Sequence, residues 1–413
     1  MKVHFVVLIF GLLLLTTRLS GQVSGCTDSL ALNFNPAATV NDGSCIYESA
    51  SISPEASYTL SSELSETSGL VLWNNLLWTH NDDSDTKLYC LDTLNGSILQ
   101  TVTLTDVVNT DWEELSQDEQ YIYVGDFGNN LNGNRTDLKI LKISKTSILA
   151  GNAVIDTISF SYSDQVDFSP TGANNTDFDC EAMIVSTDSI YLFTKQWVSK
   201  ETKVYSLPKA TGIHVAFPVA ANDVNGLITG ATYIEQMKLV ILSGYSSLLS
   251  PFVWLLYDFD GHRFFSGNKR RVGISLPFHQ VEAIATANGN KVYMTNENFV
   301  QPPIINSPQA LHIFDFSPFL SGYLNNLLMN ITTTPGQLEV FIYPNPATEF
   351  VSLRVADSLA GMDFSVLDAF GRSQAKGQLN GNKALIDLSG IRGGIYLLRI
   401  GKSYGNSLKL IIR

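Results

Sequence analysis

Between about residue 57 and residue 316 the chain repeats one plan five times, and this limits its possible folds more than any other feature. Each copy opens on a small or acidic pair at the head of a strand, continues with a second strand rich in aromatics, and adds a third that ends near an aspartate. The openings are Ser68-Gly69-Leu70-Val71, Glu113-Glu114-Leu115-Ser116, Glu181-Ala182-Met183-Ile184, Thr229-Gly230-Ala231-Thr232 and Glu282-Ala283-Ile284-Ala285. Short Val/Ile/Leu/Tyr/Phe runs cut by Gly, Asn, Asp and Ser read as strands. A small antiparallel sheet cannot bury both faces alone, so the repeat predicts an all-β chain built as a five-bladed β-propeller over residues 57–320. The spare strand at residues 57–60 would close the ring as the outer strand of the last blade. Residues 144–175 leave room for a sixth blade.

In such a wheel the first residues of the innermost strands meet around the axis. Here these are Ser68, Glu113, Glu181, Thr229 and Glu282, three carboxylates and two hydroxyls. Carboxylates about 5 Å apart at an effective dielectric near 20 repel by roughly 3 kcal/mol per pair. A cation or shared protons must relieve this, and an all-oxygen donor set of this charge points to calcium. The alternative is that the glutamates accept hydrogen bonds from inner-strand amides and tie the blades together without metal. Asp82, Asp126 and Asn129 would either extend the cation site or cap turns. His80, beside Asn81 and Asp82, is the acid/base candidate, with a hydrogen-bonded structural histidine as its alternative. Lys195 and Arg135 are the candidates for phosphate contacts, with surface charges as their alternative, and Cys90 and Cys180 read as unpaired core thiols.

The chain's ends are of another kind. Lys2, the apolar run from Phe5 to Leu15 and the small residues at 19–21 form an export signal over residues 1–21, too short for a transmembrane helix. Residues 25–47 are polar and bracketed by Cys26 and Cys45, which an exported chain would join as a disulfide. Val23-Ser24-Gly25-Cys26 also fits a lipoprotein cleavage box, which would place a lipid on Cys26. Asp28, Asn33, Asn35 and Asp42 offer either calcium ligands or Asx turns. After a linker at 321–338, residues 339–413 alternate as a small β-sandwich. With 39 acidic against 26 basic residues and no positive stripe, neither nucleic acid nor an anionic membrane surface is a partner.

The terminal motifs Val340 to Ala347 (VFIYPNPA), Phe364 to Arg372 (FSVLDAFGR), Ile391 to Ile400 (IRGGIYLLRI) and Leu408 to Arg413 (LKLIIR) resemble the type A sorting domain of the Bacteroidetes type IX secretion system. That resemblance implies handling by the secretion machinery, passage through the periplasm, and either surface attachment or release. Residues 26–45 resemble a short Cys-Thr-Asp to Asp-Gly-Ser-Cys motif of secreted Bacteroidetes proteins. The segments 78–82, 111–113, 125–130 and 179–182 resemble a group of secreted bacterial propellers without assigned function. More distantly, the order Ser, Glu, Glu, hydroxyl, Glu is similar to the calcium-activated nucleotidases (apyrases), which are five-bladed with an axial calcium. The chain departs from them where no Arg-Thr-Gly follows Asp83. The expected function is thus a secreted or surface calcium-stabilised propeller that binds a small molecule, glycan or protein. Its alternatives are a nucleotidase-like or phytase-like hydrolase and a structural surface protein without metal.

Overall fold

The structure is a computed structural model describing residues 22–82, 85–330, 340–355, 359–368, 371–401 and 407–413. The export signal expected over residues 1–21, and Asp83, lie outside the described residues. Regular structure is nearly all β, and the chain divides into two compact units, Met1–Tyr323 and Leu324–Arg413.

In the first unit, β1 (Ala50–Ile52) and β2 (Ala56–Thr59) precede a run of four strands, β3 (Thr67–Trp73), β4 (Leu76–Asn81), β5 (Lys87–Leu91) and β6 (Ile98–Thr103). The second run is β7 (Trp112–Gln117), β8 (Tyr121–Asp126), β9 (Lys139–Ser144) and β10 (Ile155–Tyr162), with the short helix α1 (Lys145–Leu149) before β10. The third is β11 (Cys180–Val185), β12 (Ser189–Thr194), β13 (Glu201–Pro208) and β14 (Gly212–Asp223). The fourth is β15 (Leu227–Ile234), β16 (Leu239–Tyr245), β17 (Pro251–Tyr257) and β18 (Asn268–Ile274), and the last is β19 (Val281–Thr286), β20 (Lys291–Asn296) and β21 (Ala310–Asp315). Each run is an antiparallel meander. The first strands neighbour one another in the cycle β3, β7, β11, β15, β19 and back to β3.

The last sheet takes its fourth strand from the N-terminal side: β2 pairs with β21, Thr59 opposite Ala310 and Ala56 opposite Ile313. Residues 144–175 do not form a separate sheet. They supply α1 and β10, the outer strand of the second sheet, and β10 pairs in parallel with β14 so that the second and third sheets join into one of eight strands.

Burial follows position in the run. First and second strands are covered on both faces, which is why β11 (CEAMIV) and β16 (LVILSGY) are nearly continuous apolar runs. Outer strands such as β6 are mostly exposed, and β6 alternates threonine with apolar residues.

The N-terminal segment docks on the fourth sheet instead of standing apart. β1 extends that sheet in parallel beside β18, and Asn41 Nδ2 donates to Asp258 Oδ2 at 2.9 Å and Asn268 Oδ1 at 3.0 Å. Cys26 and Cys45 form a disulfide, so the lipid reading of Cys26, which needs the same sulfur, is corrected. The carboxylate and amide oxygens of this segment serve its own backbone: Asp28 Oδ1 accepts from Leu30 N–H, Asn35 Oδ1 from Ala37 N–H, Asp42 Oδ1 from Ser44 N–H and Asn33 Oδ1 from Ile46 N–H. These are Asx turns and a loop clamp. Opening a loop of this length is expected to destabilise the docked segment by about 3 kcal/mol. Hydrogen exchange on reduced protein should rise over residues 22–52 while β7 and β11 keep their protection; uniform exchange throughout would contradict this.

In the second unit, β22 (Val340–Tyr343), β23 (Phe350–Val355) and β26 (Lys383–Asp387) form one sheet, and β24 (Asp363–Leu367), β25 (Ser373–Gln378), β27 (Gly394–Ile400) and β28 (Ser407–Ile412) a second. Val351, Leu353 and Ile386 of one meet Val366, Leu398 and Leu410 of the other in a common core. Asn345 binds the last strand in both directions, donating to Lys409 O and accepting from Ile411 N–H, each at 2.8 Å. Residues 317–330, partly assigned to the linker by sequence, are helix α2 (Ser317–Asn330).

Candidate cation site at the strand starts

Every first strand breaks register near its start: between Ser68 and Leu70, between Trp112 and Glu114 opposite Gly125/Asp126, and around Glu181, Thr229 and Glu282. A bulge re-aims the extra residue out of the ladder. Four of the five breaks skip the same repeat position, Glu113, Glu181, Thr229 and Glu282, and the fifth skips the next residue, Gly69.

The second position of each repeat, at the bulge in β3 and just after it in the other four strands, is Gly69, Glu114, Ala182, Gly230 or Ala283, one long side chain among four small ones. Glu114 is 0% exposed, and its carboxylate accepts from the backbone of its neighbours, Ala231 N–H at 2.7 Å and Leu115 N–H at 2.9 Å. Burial pushes its pKa up, while those amides, with Leu70 and Met183, pull it down. One side chain thus ties β3, β7, β11 and β15 together. Gly69 sits at φ +58°, and a Cβ there would come within 2.4 Å of Leu115 N, so only glycine lets these strands approach.

Of the five residues expected to form the ring, Glu113 and Glu181 come together, and Asp179 joins them, with ligand oxygens all within 4.8 Å of one another. Glu282 is buried and lies in the same field. Ser68 and Thr229 are engaged elsewhere: Ser68 Oγ donates to Glu113 O at 2.6 Å and Thr229 Oγ1 to Val281 O, each bridging to the next first strand. Asp111 approaches from the same side, since a Cβ on Gly128 would lie 2.2 Å from Glu113 Oε1 and 2.4 Å from Asp111 Oδ2.

Lys195 corrects the sequence reading. It is 4% exposed, with Nζ 2.5 Å from Glu181 Oε2 and near the rings of Trp197 and Tyr245. Arg135 is likewise partly buried, donating to Asp126 Oδ1 at 2.8 Å, with Lys139 at 2.7 Å from Oδ2. Asp126 is therefore spent on two cations. Asn129 positions the site: its N–H donates to Asp179 Oδ1 at 2.6 Å, and Trp197 Nε1 holds Oδ2 at 2.8 Å. Asp82 gathers with Glu66 and Glu297 in a second group within 4.8 Å.

Burial is the first cause of every raised carboxyl here. It lifts Glu113, Glu181 and Glu282 well above the usual range, with neighbouring carboxylates adding to it. Asp111 is pushed up to about 6 by burial and Asp179, and Glu297 to about 7 by burial and Glu66. His80 is fully buried, its Nδ1 3.0 Å from Asn81 O and its ring edge-on to Trp112; burial lowers its pKa to about 4, so it is neutral. Cys90 and Cys180 are buried free thiols.

Five carboxylates, Asp111, Glu113, Asp179, Glu181 and Glu282, therefore gather near the buried ammonium of Lys195, with the Arg135 guanidinium offsetting Asp111. The donors are all hard oxygens, and Glu113, Asp179 and Glu181 are close enough to share an ion of calcium's type.

Residues 341–413 match the family of secretion system C-terminal sorting domains. The chain is exported by type IX secretion to the cell surface or the extracellular space. No curated protein matches it in sequence. Among solved structures it is similar to PorZ, described as an essential bacterial surface component of the type IX secretion system of Porphyromonas gingivalis, at 11% identity and TM-score 0.29, over 84% of this chain and 45% of that one. The chain thus spans less than half of PorZ. It is also similar to a chain of the mitotic checkpoint complex (13% identity, TM-score 0.35, 63% of this chain and 95% of that one) and to the RRP9 WD40 repeats (7%, 0.30, 60% and 67%). Scores this low carry no argument about this chain. Among the described residues no helix is long and apolar enough to cross a membrane.

Proposed function

We propose that the first unit is a five-bladed β-propeller exported as a binding module, that the second is the β-sandwich used as its sorting signal, and that calcium held by Glu113, Asp179 and Glu181 stabilises the propeller. The observation that carries the cation reading is the convergence of these three carboxylates, with Lys195 paired to one of them. The cycle of five first strands supports the propeller. The phosphohydrolase alternative is less favoured: phosphate contacts use Arg or Lys, and Lys195 and Arg135 are each paired with a carboxylate, Glu181 and Asp126, so that phosphate would compete with Glu181 for Lys195 just as calcium competes with Lys195 for Glu181.

Titration tests the cation reading. Without metal, a carboxyl whose pKa is higher folded than unfolded keeps its proton longer in the native state. The stability that these carboxyls contribute to the metal-free protein should therefore be fully present below the unfolded value of about 4 and be lost as pH rises through about 6 for Asp111 and about 7 for Glu297, while Asp118 and Asp137, held low, act in the opposite sense in acid. Calcium needs Glu113, Asp179 and Glu181 deprotonated, and burial raises all three, so its stabilising effect should grow as pH rises, reaching about 3 kcal/mol at a hundredfold excess over Kd. Thermal melts at pH 4 to 8, with calcium and with chelator, read both trends; superimposable curves would end the calcium reading.

A further inference from the structure

The first strands also end together. β7, β11 and β15 stop at Gln117, Val185 and Ile234, about 15 Å from their acidic starts at four to five residues per strand. There the turns of the second, third and fourth sheets surround a cavity of about 540 Å³, within the range of ligand sites. A separate, smaller cavity of about 50 Å³ lined by Leu70, Leu115 and Ala231 shares Gln117, Val185 and Tyr233 with it.

The walls of this cavity are polar and held in place. Asp118 accepts from Tyr123 OH at 2.8 Å and Lys209 Nζ at 3.1 Å, as well as from the N–H groups of Gln120 and Tyr121. Glu235 Oε2 accepts from Thr187 N–H at 3.1 Å and Thr187 Oγ1 at 2.9 Å, and its Oε1 faces His262. Tyr233 is braced edge-on by Phe264 at 6.0 Å. Charge narrows the ligand. An anion would meet Asp118, Glu119 and Glu235 against the single Lys209, and a bare cation would find Asp118 and Glu235 already engaged. What remains is the hydrogen-bonding capacity of the planar carboxylate and amide groups of Glu119, Gln120 and Gln236 beside one aromatic ring, the chemistry that suits a neutral polyhydroxylated chain.

We propose that this cavity binds a short neutral oligosaccharide, with Tyr233 stacking on a sugar ring and the side chains of Glu119, Gln120 and Gln236 exchanging hydrogen bonds with hydroxyls. The inference rests on reading the first unit as a binding module, and it is independent of the cation at the other end.

Calorimetric titration of the full chain with soluble glucose, mannose, galactose and xylose hexasaccharides, and with a sulfated hexasaccharide, tests it. At least one neutral hexasaccharide should bind, and Tyr233→Ala should weaken it about tenfold or more. Gln236→Trp, an exposed change at the rim, should block binding without touching the core. No neutral hexasaccharide bound at millimolar concentration, binding of the sulfated one alone, or affinity unmoved by both substitutions in folded protein would overturn the proposal. Metal content measured on the same sample reports separately on the calcium reading, so failure of one is not failure of the other.

Discussion

Replacing Glu114 by alanine is expected to lower the melting temperature of the first unit by about 10 °C, because buried amides of several strands lose their acceptor together at roughly 1–3 kcal/mol each. The side chain is fully enclosed, and its two oxygens accept from two different strands, β7 and β15. Water entering the vacated space would recover part of this loss. Glu114→Gln separates charge from shape: the amide fills the same volume but turns one N–H donor against another, so it should lose nearly as much. Calorimetry on both variants decides, and a melting point within a degree of wild type in either would show that the strands do not depend on this carboxylate.

The second large effect is expected at Lys195. Removing one member of a buried ion pair leaves its partner charged and unpaired, a change of about 3–5 kcal/mol. Lys195→Met keeps much of the side-chain volume against Trp197 and Tyr245 while deleting the ammonium that sits 2.5 Å from Glu181 Oε2. In chelator the variant should melt about 8 °C below wild type. Added calcium should recover more stability in the variant than in wild type, because the ion no longer competes with a fixed positive charge for Glu181. Equal calcium response in both proteins would mean that lysine and ion do not share the glutamate.

The repeat was legible because each sheet spells its strands the same way, and the strand at residues 57–60 was recognisable by having no partner nearby in the chain. Glu113, Glu181 and Glu282 could be singled out because equivalent positions of a repeat face the same centre. Asp111 and Asp179 stand two residues before Glu113 and Glu181, just ahead of strands that begin at Trp112 and Cys180, so strand alternation alone does not point to them. Lys195 escaped because a lysine taken singly is most often on the surface. Its place in the repeat matches that of Asp82 and Glu297, since the N–H groups of all three return to the segment before a first strand, at Glu66, Asp179 and Gln280. Glu114 escaped because it looked like a duplicate of Glu113; only the four small residues at Gly69, Ala182, Gly230 and Ala283 reveal that the centre has room for a single long side chain. The docking of residues 25–47 on the fourth sheet rests on tertiary hydrogen bonds such as Asn41 to Asp258, for which the sequence carries no local pattern.

The most direct measurement is the metal content of the purified chain, taken by elemental mass spectrometry without prior chelation. A calcium-holding centre would give close to one calcium ion per chain, lost in the double variant Glu113→Gln/Glu181→Gln. Protein free of divalent metal, whose melting point is the same in calcium and in chelator, would mean that Lys195 and shared protons alone hold the carboxylates together.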